Sequence, residues 1–286
     1  QGNTGIEGSL NDYLSGTSNS QFLDQVNALL TGQNPKGAAV ELTLDRDIQQ
    51  AAWDALGDLQ GAVIAINPKT GAILAMVSKP TFDPNTLAGH DTDQVIAAYD
   101  QLLADPAGPL FNRTLAGNLN PPGSTFKLVV AAAALDSGQY TADSQFPNPP
   151  QLQLPQSDSV IINSGGDDCG GAPTVSISDA IRLSCNIPFA ELGQAIGTRA
   201  ILAQAMKFGF NSSVSVPLES TPSVYPRALD EPQTMLSAFG QSSVRASPLQ
   251  MAMVSMAIAN GGTLMKPNLV ESITAPNLTV LQSLEP

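Results

Sequence analysis

The chain has 286 residues of which 42% are hydrophobic, enough to bury a sizeable core in one large domain or two ordinary ones, and too apolar for a disordered polypeptide. Its 12 basic and 25 acidic residues leave a formal charge of −13 with no basic cluster, so a phosphate backbone would be repelled and nucleic acid is excluded as a partner. The longest apolar run, Leu128 to Leu135, is too short to span a bilayer, residues 1 to 30 do not read as a signal peptide, and Cys169 and Cys185 suffice neither for a disulfide scaffold nor for a zinc site.

Residues 1 to 37 mix Gly, Asn, Ser and Thr around one helical patch, Asn19 to Leu30, and read as a lead-in or the remnant of a preceding domain. The core, 38 to 286, opens with a strand at Ala38 to Leu44. A helix from Asp45 follows, with Ile48, Ala51, Ala52 and Leu56 on one face. Two apolar runs, Gly61 to Asn67 and Ala72 to Ser78, are joined by Pro68-Lys69-Thr70-Gly71 and predict a hairpin. A helix is expected at Thr92 to Ala104. His90, the sole histidine, sits in a polar loop beside Asp91, and with no G-x-S-x-G elbow a serine–histidine–carboxylate triad has no support.

Pro121-Pro122-Gly123 introduces a helix of small apolar residues that ends at Ser137-Gly138. Residues 139 to 175 are rich in Pro, Ser, Asp and Gly and read as a surface excursion. Its end, Asn163 to Gly171, is acidic enough to hold a cation, although a solvated loop is the simpler reading. Helices are expected at Ser178 to Leu192 and Thr198 to Phe208. Another has Ser247 as N-cap, Pro248 at N1 and Asn260-Gly261-Gly262 as its stop, with Met251, Met253 and Met256 as core filler.

The chemistry concentrates on Ser124 and Lys127. Three residues apart on a helix, they share a face, and Ser124 falls in the first turn, where unpaired N–H groups favour a negative oxygen. A lysine desolvated among apolar neighbours has a lowered pKa and can take the serine proton. Of the six lysines only Lys127 follows a serine at this spacing; the bland reading is a surface helix start with an accidental match. A second hydroxyl and an amide come from Ser184-Cys185-Asn186, inside the predicted helix region. The same S-x-N spacing at Ser9-Leu10-Asn11 lies in the lead-in and reads as chance.

Taken in order, Thr4-Gly-Ile-Glu7, Leu42-Thr-Leu-Asp45, Ala65-Ile-Asn-Pro-Lys-Thr-Gly-Ala-Ile-Leu-Ala-Met76, Pro80-Thr-Phe-Asp-Pro-Asn85, Pro122-Gly-Ser-Thr-Phe-Lys127, Ser184-Cys-Asn186, Gly240-Gln241 and Pro248-Leu-Gln-Met-Ala252 make the chain resemble the transpeptidase domain of the class B penicillin-binding proteins. The resemblance implies an α/β (α+β) fold, with an antiparallel five-stranded sheet flanked by helices and an all-helical subdomain. It implies a peptidoglycan D,D-transpeptidase in which Ser124 is acylated, Lys127 is its base, Ser184 relays a proton, Asn186 contacts the donor peptide and the Ser124 N–H forms half of the oxyanion hole. It implies no cofactor or metal. Its partners would be peptidoglycan stem peptides, β-lactams and other cell-wall synthesis proteins.

The family's third motif, K-T-G or K-S-G, belongs downstream of S-x-N. Lys69-Thr70-Gly71 is upstream and reads as a decoy, so the resemblance implies a chain stopping before its last strands. It also implies a single-pass N-terminal membrane anchor outside this sequence, with the catalytic domain on the extracytoplasmic side of the bacterial membrane. In that compartment a Cys169–Cys185 disulfide is one expectation and two free thiols the other. The competing functions are a hydrolytic D,D-carboxypeptidase or β-lactamase, although the E-x-x-L-N pattern of class A β-lactamases is missing, and a non-catalytic binding module of a cell-wall assembly.

Overall fold

The computed structural model describes residues 4–22, 26, 30, 32, 36–117, 119–214 and 216–284. In chain order its elements are α1 (Gly5–Ser9), α2 (Asn11–Leu14), β1 (Ala39–Leu42), α3 (Arg46–Leu56), β2 (Gly61–Ile66), β3 (Ile73–Lys79), α4 (Thr92–Ala104), α5 (Lys127–Asp136), β4 (Gln145–Pro147), β5 (Gln151–Gln153), β6 (Val160–Ile162), β7 (Thr174–Ser176), α6 (Ile177–Arg182), α7 (Ile187–Lys207), α8 (Glu231–Ser237), α9 (Pro248–Ala259), β8 (Val270–Thr274) and β9 (Val280–Ser283). The chain divides into two compact units. One comprises residues 1–117, 214–221 and 256–286, the other 118–213 and 222–255. Among the described residues no helix is long and apolar enough to cross a membrane.

The first unit carries the antiparallel strands. β1, β8 and β9 form one sheet in the order β1-β8-β9, and β2 and β3 pair as the expected hairpin. The two are stitched together where the Ile73 N–H donates to Asn268 O at 2.8 Å and the buried Thr43 hydroxyl donates to Ile73 O at 2.8 Å. β3 alternates as a half-buried strand should, with Ile73, Ala75 and Val77 inside. On the other sheet Leu10, Ala38, Val270 and Ile273 close a small core.

Asp45 starts α3 as expected, its carboxylate accepting from the Asp47 and Ile48 N–H groups. The face that packs differs from the sequence reading. Ala52 and Leu56 are half-buried, but Ile48 and Ala51 are exposed, and Gln49 takes the inner position. The reason is a hydrogen-bond demand: the Gln49 amide accepts from Met76 N at 2.7 Å and donates to Met76 O at 3.0 Å, standing in for a neighbouring strand. The expected Asn19 to Leu30 helix shows a 3₁₀ turn at Asn19–Gln21, and most of its remainder lies outside the described residues.

The second unit is helix-rich. α5 packs along α7, and α7 packs on α8. α7 is really two helices, because Gly197 (φ 78°, ψ 160°) breaks it where the sequence separates two helical patterns. The expected helix from Ser178 to Leu192 is also two, α6 and α7, interrupted by Leu183 to Asn186 with Ser184 at φ 59°. The segment from 139 to 175 is more ordered than a surface excursion, forming the ribbons β4–β7 and β5–β6 within the otherwise helical unit. Cys169 and Cys185 are joined in a disulfide, which resolves the open alternative and ties this segment to the interruption. α9 has the expected caps, with Ser247 Oγ accepting from Gln250 N at 3.1 Å, and Met253 and Met256 are buried while Met251 is half-buried.

One aromatic cluster anchors this unit. Phe126 stacks on Tyr225 (centroids 5.6 Å apart, planes within 7°) and meets Phe210 edge-on at 5.5 Å. The Tyr225 hydroxyl pairs with Ser237 Oγ at 2.9 Å, and burial pushes its pKa up to about 12. Tyr225→Ala is expected to cost about 3–5 kcal/mol in urea denaturation. Tyr225→Phe is expected to cost about 1 kcal/mol, since Ser237 keeps its bond to Thr234 O.

Candidate active site

The site begins with backbone. Gly123–Phe126 forms a 3₁₀ turn that runs directly into α5, so Ser124 sits exposed at a helix mouth while Lys127, three residues on, is 2% exposed. Thr125 Oγ1 closes the turn on Pro122 O at 2.7 Å. The turn is clamped from outside: the Gly123 N–H donates to Gly240 O at 3.0 Å, and a Cβ on Gly240 would stand 2.1 Å from Gly123 O. Gly240 also has φ 75°, so two independent constraints require glycine there. Gly240 in turn follows the end of α8, its N–H bonded to Ser237 O, so the tyrosine anchor reaches the serine turn through backbone.

Lys127 Nζ lies 3.1 Å from Ser124 Oγ, 3.2 Å from Ser184 Oγ, 2.7 Å from Ser184 O and 2.9 Å from Asn186 Oδ1. All four sequence candidates therefore meet at one nitrogen. The interruption between α6 and α7 makes this possible. A continuous helix is barred here by Pro188, which has no N–H for Ser184 O and whose ring would meet it, and φ 59° turns both the carbonyl and the hydroxyl of Ser184 to Lys127.

Burial lowers the Lys127 pKa from its ordinary 10.5 to about 8. The oxygen count decides where the lone pair of the neutral amine points. An ammonium has three N–H donors for these four oxygens. A neutral amine has two, and Ser184 O and Asn186 Oδ1, which cannot donate, take both. The lone pair is then left for a hydroxyl, with Ser124 Oγ the nearer. Such a nitrogen can withdraw a proton from Ser124 as its oxygen attacks.

Two side chains that the sequence reading passed over support the site. Asn163, placed in a solvated loop on sequence grounds, is 2% exposed and accepts from the Asn186 and Ile187 N–H groups at 2.8 and 3.1 Å. Asn148, 1% exposed, holds Cys169 through its N–H at 3.1 Å and its O at 2.8 Å. Neither belongs to a recognisable motif, and the only signal was two asparagines in a segment otherwise suited to solvent. Among the described residues no three metal-ligating side chains cluster. His90 is exposed.

Residues 61–285 match the family described as the penicillin binding protein transpeptidase domain. The chain belongs to that family. Residues 1–40 match a second description, the penicillin binding protein A dimerisation domain. The peptidoglycan D,D-transpeptidase PbpA of Mycolicibacterium smegmatis is 39% identical over 289 residues, covering 99% of this chain and 58% of the relative. PbpA of Mycobacterium tuberculosis is 38% identical, covering 96% and 57%. The crystal structure of penicillin-binding protein A from M. tuberculosis superposes with a TM-score of 0.92 at 37% identity, over 98% of this chain and 65% of that one, and its penicillin G acyl-enzyme complex matches equally well. The chain thus spans less than two thirds of the length of these relatives.

In this transpeptidase domain the Gly240 clamp gives a direct test. Gly240→Ala must displace the Gly123–Ser124 turn, so the variant is expected to react with a fluorescent penicillin at least tenfold more slowly. Stopped-flow acylation against a circular-dichroism melt checks it; a folded variant with an unchanged rate contradicts the clamp.

Proposed function

We propose that the chain carries the acylating centre of a peptidoglycan D,D-transpeptidase, with Ser124 as nucleophile. The observation that carries the reading is the contact of Lys127 Nζ with Ser124 Oγ at 3.1 Å by an amine whose pKa burial has brought to about 8. Lys127 takes the Ser124 proton as Oγ attacks the carbonyl of a D-Ala-D-Ala stem. The resulting oxyanion is met by the Ser124 N–H at the start of its helix. Ser184 Oγ, 3.2 Å from the same nitrogen, passes the proton to the departing D-Ala amine. An amine of a second stem then takes the acyl group. The Asn186 side chain holds Lys127 through Oδ1 and donates to Ile162 O at 3.0 Å, leaving one amide hydrogen for the donor peptide.

β-Lactams would be trapped at the same serine, a reading supported by the acyl-enzyme structures of the M. tuberculosis relative. The match of residues 1–40 to a dimerisation domain supports reading residues 1–37 as the end of a non-catalytic domain, ahead of a transpeptidase domain from 38 onward. The whole protein would then be anchored in the cell membrane, with this domain facing peptidoglycan and working beside other cell-wall proteins.

Ser124→Ala is expected to abolish the covalent penicillin adduct with the melt unchanged; peptide mapping that placed the adduct on Ser184 would reverse the roles. Lys127→Arg, which keeps the charge but stays protonated, is expected to lose acylation by at least 100-fold. The neutral amine is the reactive form and its folded pKa lies below the ordinary value. The acylation rate should therefore rise tenfold per pH unit below about 8 and level off above it. A profile flat from pH 6 to 9 contradicts lysine as base.

A further inference from the structure

We infer that Asn163 is a positioning residue for acylation: it caps α7 in place of Asn186, and so keeps the Asn186 side chain on Lys127. The inference rests on the acylating centre proposed above. Asn186 stands at the N-cap of α7, a position where asparagine is among the strongest cappers and by default accepts from the N–H of the second or third helical residue. Its side chain makes no such bond. Its Oδ1 is on Lys127 Nζ at 2.9 Å and its Nδ2 on Ile162 O at 3.0 Å.

Three features hold it there. Asn163 Oδ1 accepts from Asn186 N at 2.8 Å and Ile187 N at 3.1 Å, satisfying the first donors of the helix from another segment. The amide orientation is unambiguous, since the flipped group would set its own hydrogens against two N–H donors. Pro188 occupies the second helical position and has no N–H to offer. Only the Phe189 N–H remains to compete for Asn186. Finally, Ile162, the residue immediately before Asn163, presents the carbonyl that takes the other end of the Asn186 amide. One strand end therefore supplies both the substitute cap and the rear grip.

Asn163 is itself held in the interior, donating to Asp167 O at 3.3 Å and to Asn148 Oδ1 at 3.4 Å. The acidic glycine-rich loop thus acts as the frame for a buried amide.

The test is the crystal structure and the acylation kinetics of Asn163→Ala. With the two N–H groups uncapped, Asn186 Oδ1 is expected to leave Lys127 and turn toward Phe189 N. The second-order rate with a fluorescent penicillin is expected to fall at least tenfold. The rise of the pH–rate profile is expected to move to lower pH, because the ammonium loses an acceptor; a merely structural loss would scale the profile without moving it. Asn186 remaining on Lys127 with a wild-type rate and profile overturns the inference. Should Asn163→Ala fail to fold, Asn163→Asp, with its second oxygen protonated so that it still donates to Asp167 O, keeps an oxygen for both N–H groups and is expected to keep Asn186 on Lys127; departure of Asn186 from a capped helix overturns it equally. The side-chain position is read whether or not an adduct forms, whereas wild-type protein that forms no adduct on Ser124 would refute the acylating centre itself.

Discussion

Lys127 Nζ is the point on which the second unit converges. Bringing an amine into a buried position costs free energy unless it is neutral or fully hydrogen-bonded. The chain does both in part: burial draws the pKa to about 8, and four oxygens within 3.2 Å receive whichever hydrogens remain. Each oxygen must be aimed by something else, and that requirement accounts for features otherwise hard to explain. The left-handed Ser184, the interruption between α6 and α7, and a capping position whose own side chain does not cap all serve the same nitrogen.

The serine side of the pair is held by backbone. Tyr225, Ser237, Gly240 and Gly123 form a continuous chain of stacking and hydrogen bonds that ends one residue before Ser124. Phe126, inside the serine-to-lysine turn, is the face on which Tyr225 stacks. The turn is therefore anchored by the same residues that separate its serine from its lysine. Preorganisation of this kind lowers the cost of bringing reacting atoms together, because the geometry is set during folding.

Local rules made much of this legible. The three-residue spacing of Ser124 and Lys127, the N-cap at Asp45, the caps of the helix from Pro248 to Ala259 and the span of the helix from Thr92 to Ala104 each depend on a few neighbouring residues, and the structure agrees with them. Most of the misses have a different cause. Gln49 turns inward because an isolated strand edge needs a partner. Ser184 leaves the helix because Pro188 offers its carbonyl no N–H, a local signal that was passed over, and Lys127, 57 residues earlier, takes the freed carbonyl and hydroxyl. Asn163 and Asn148 look like loop residues because most of their partners lie 15 or more positions away. Composition and periodicity carry no trace of such long-range hydrogen bonds.

The proposed acylation turns on the protonation of one amine. Nitrogen-15 NMR titration of lysine-labelled protein, with the Lys127 resonance assigned by its loss in Lys127→Arg, measures it directly. The Lys127 Nζ signal is expected to titrate with a midpoint near 8. A midpoint at or above the ordinary 10.5 would leave an ammonium beside Ser124 throughout the working pH range, and would contradict lysine as the base.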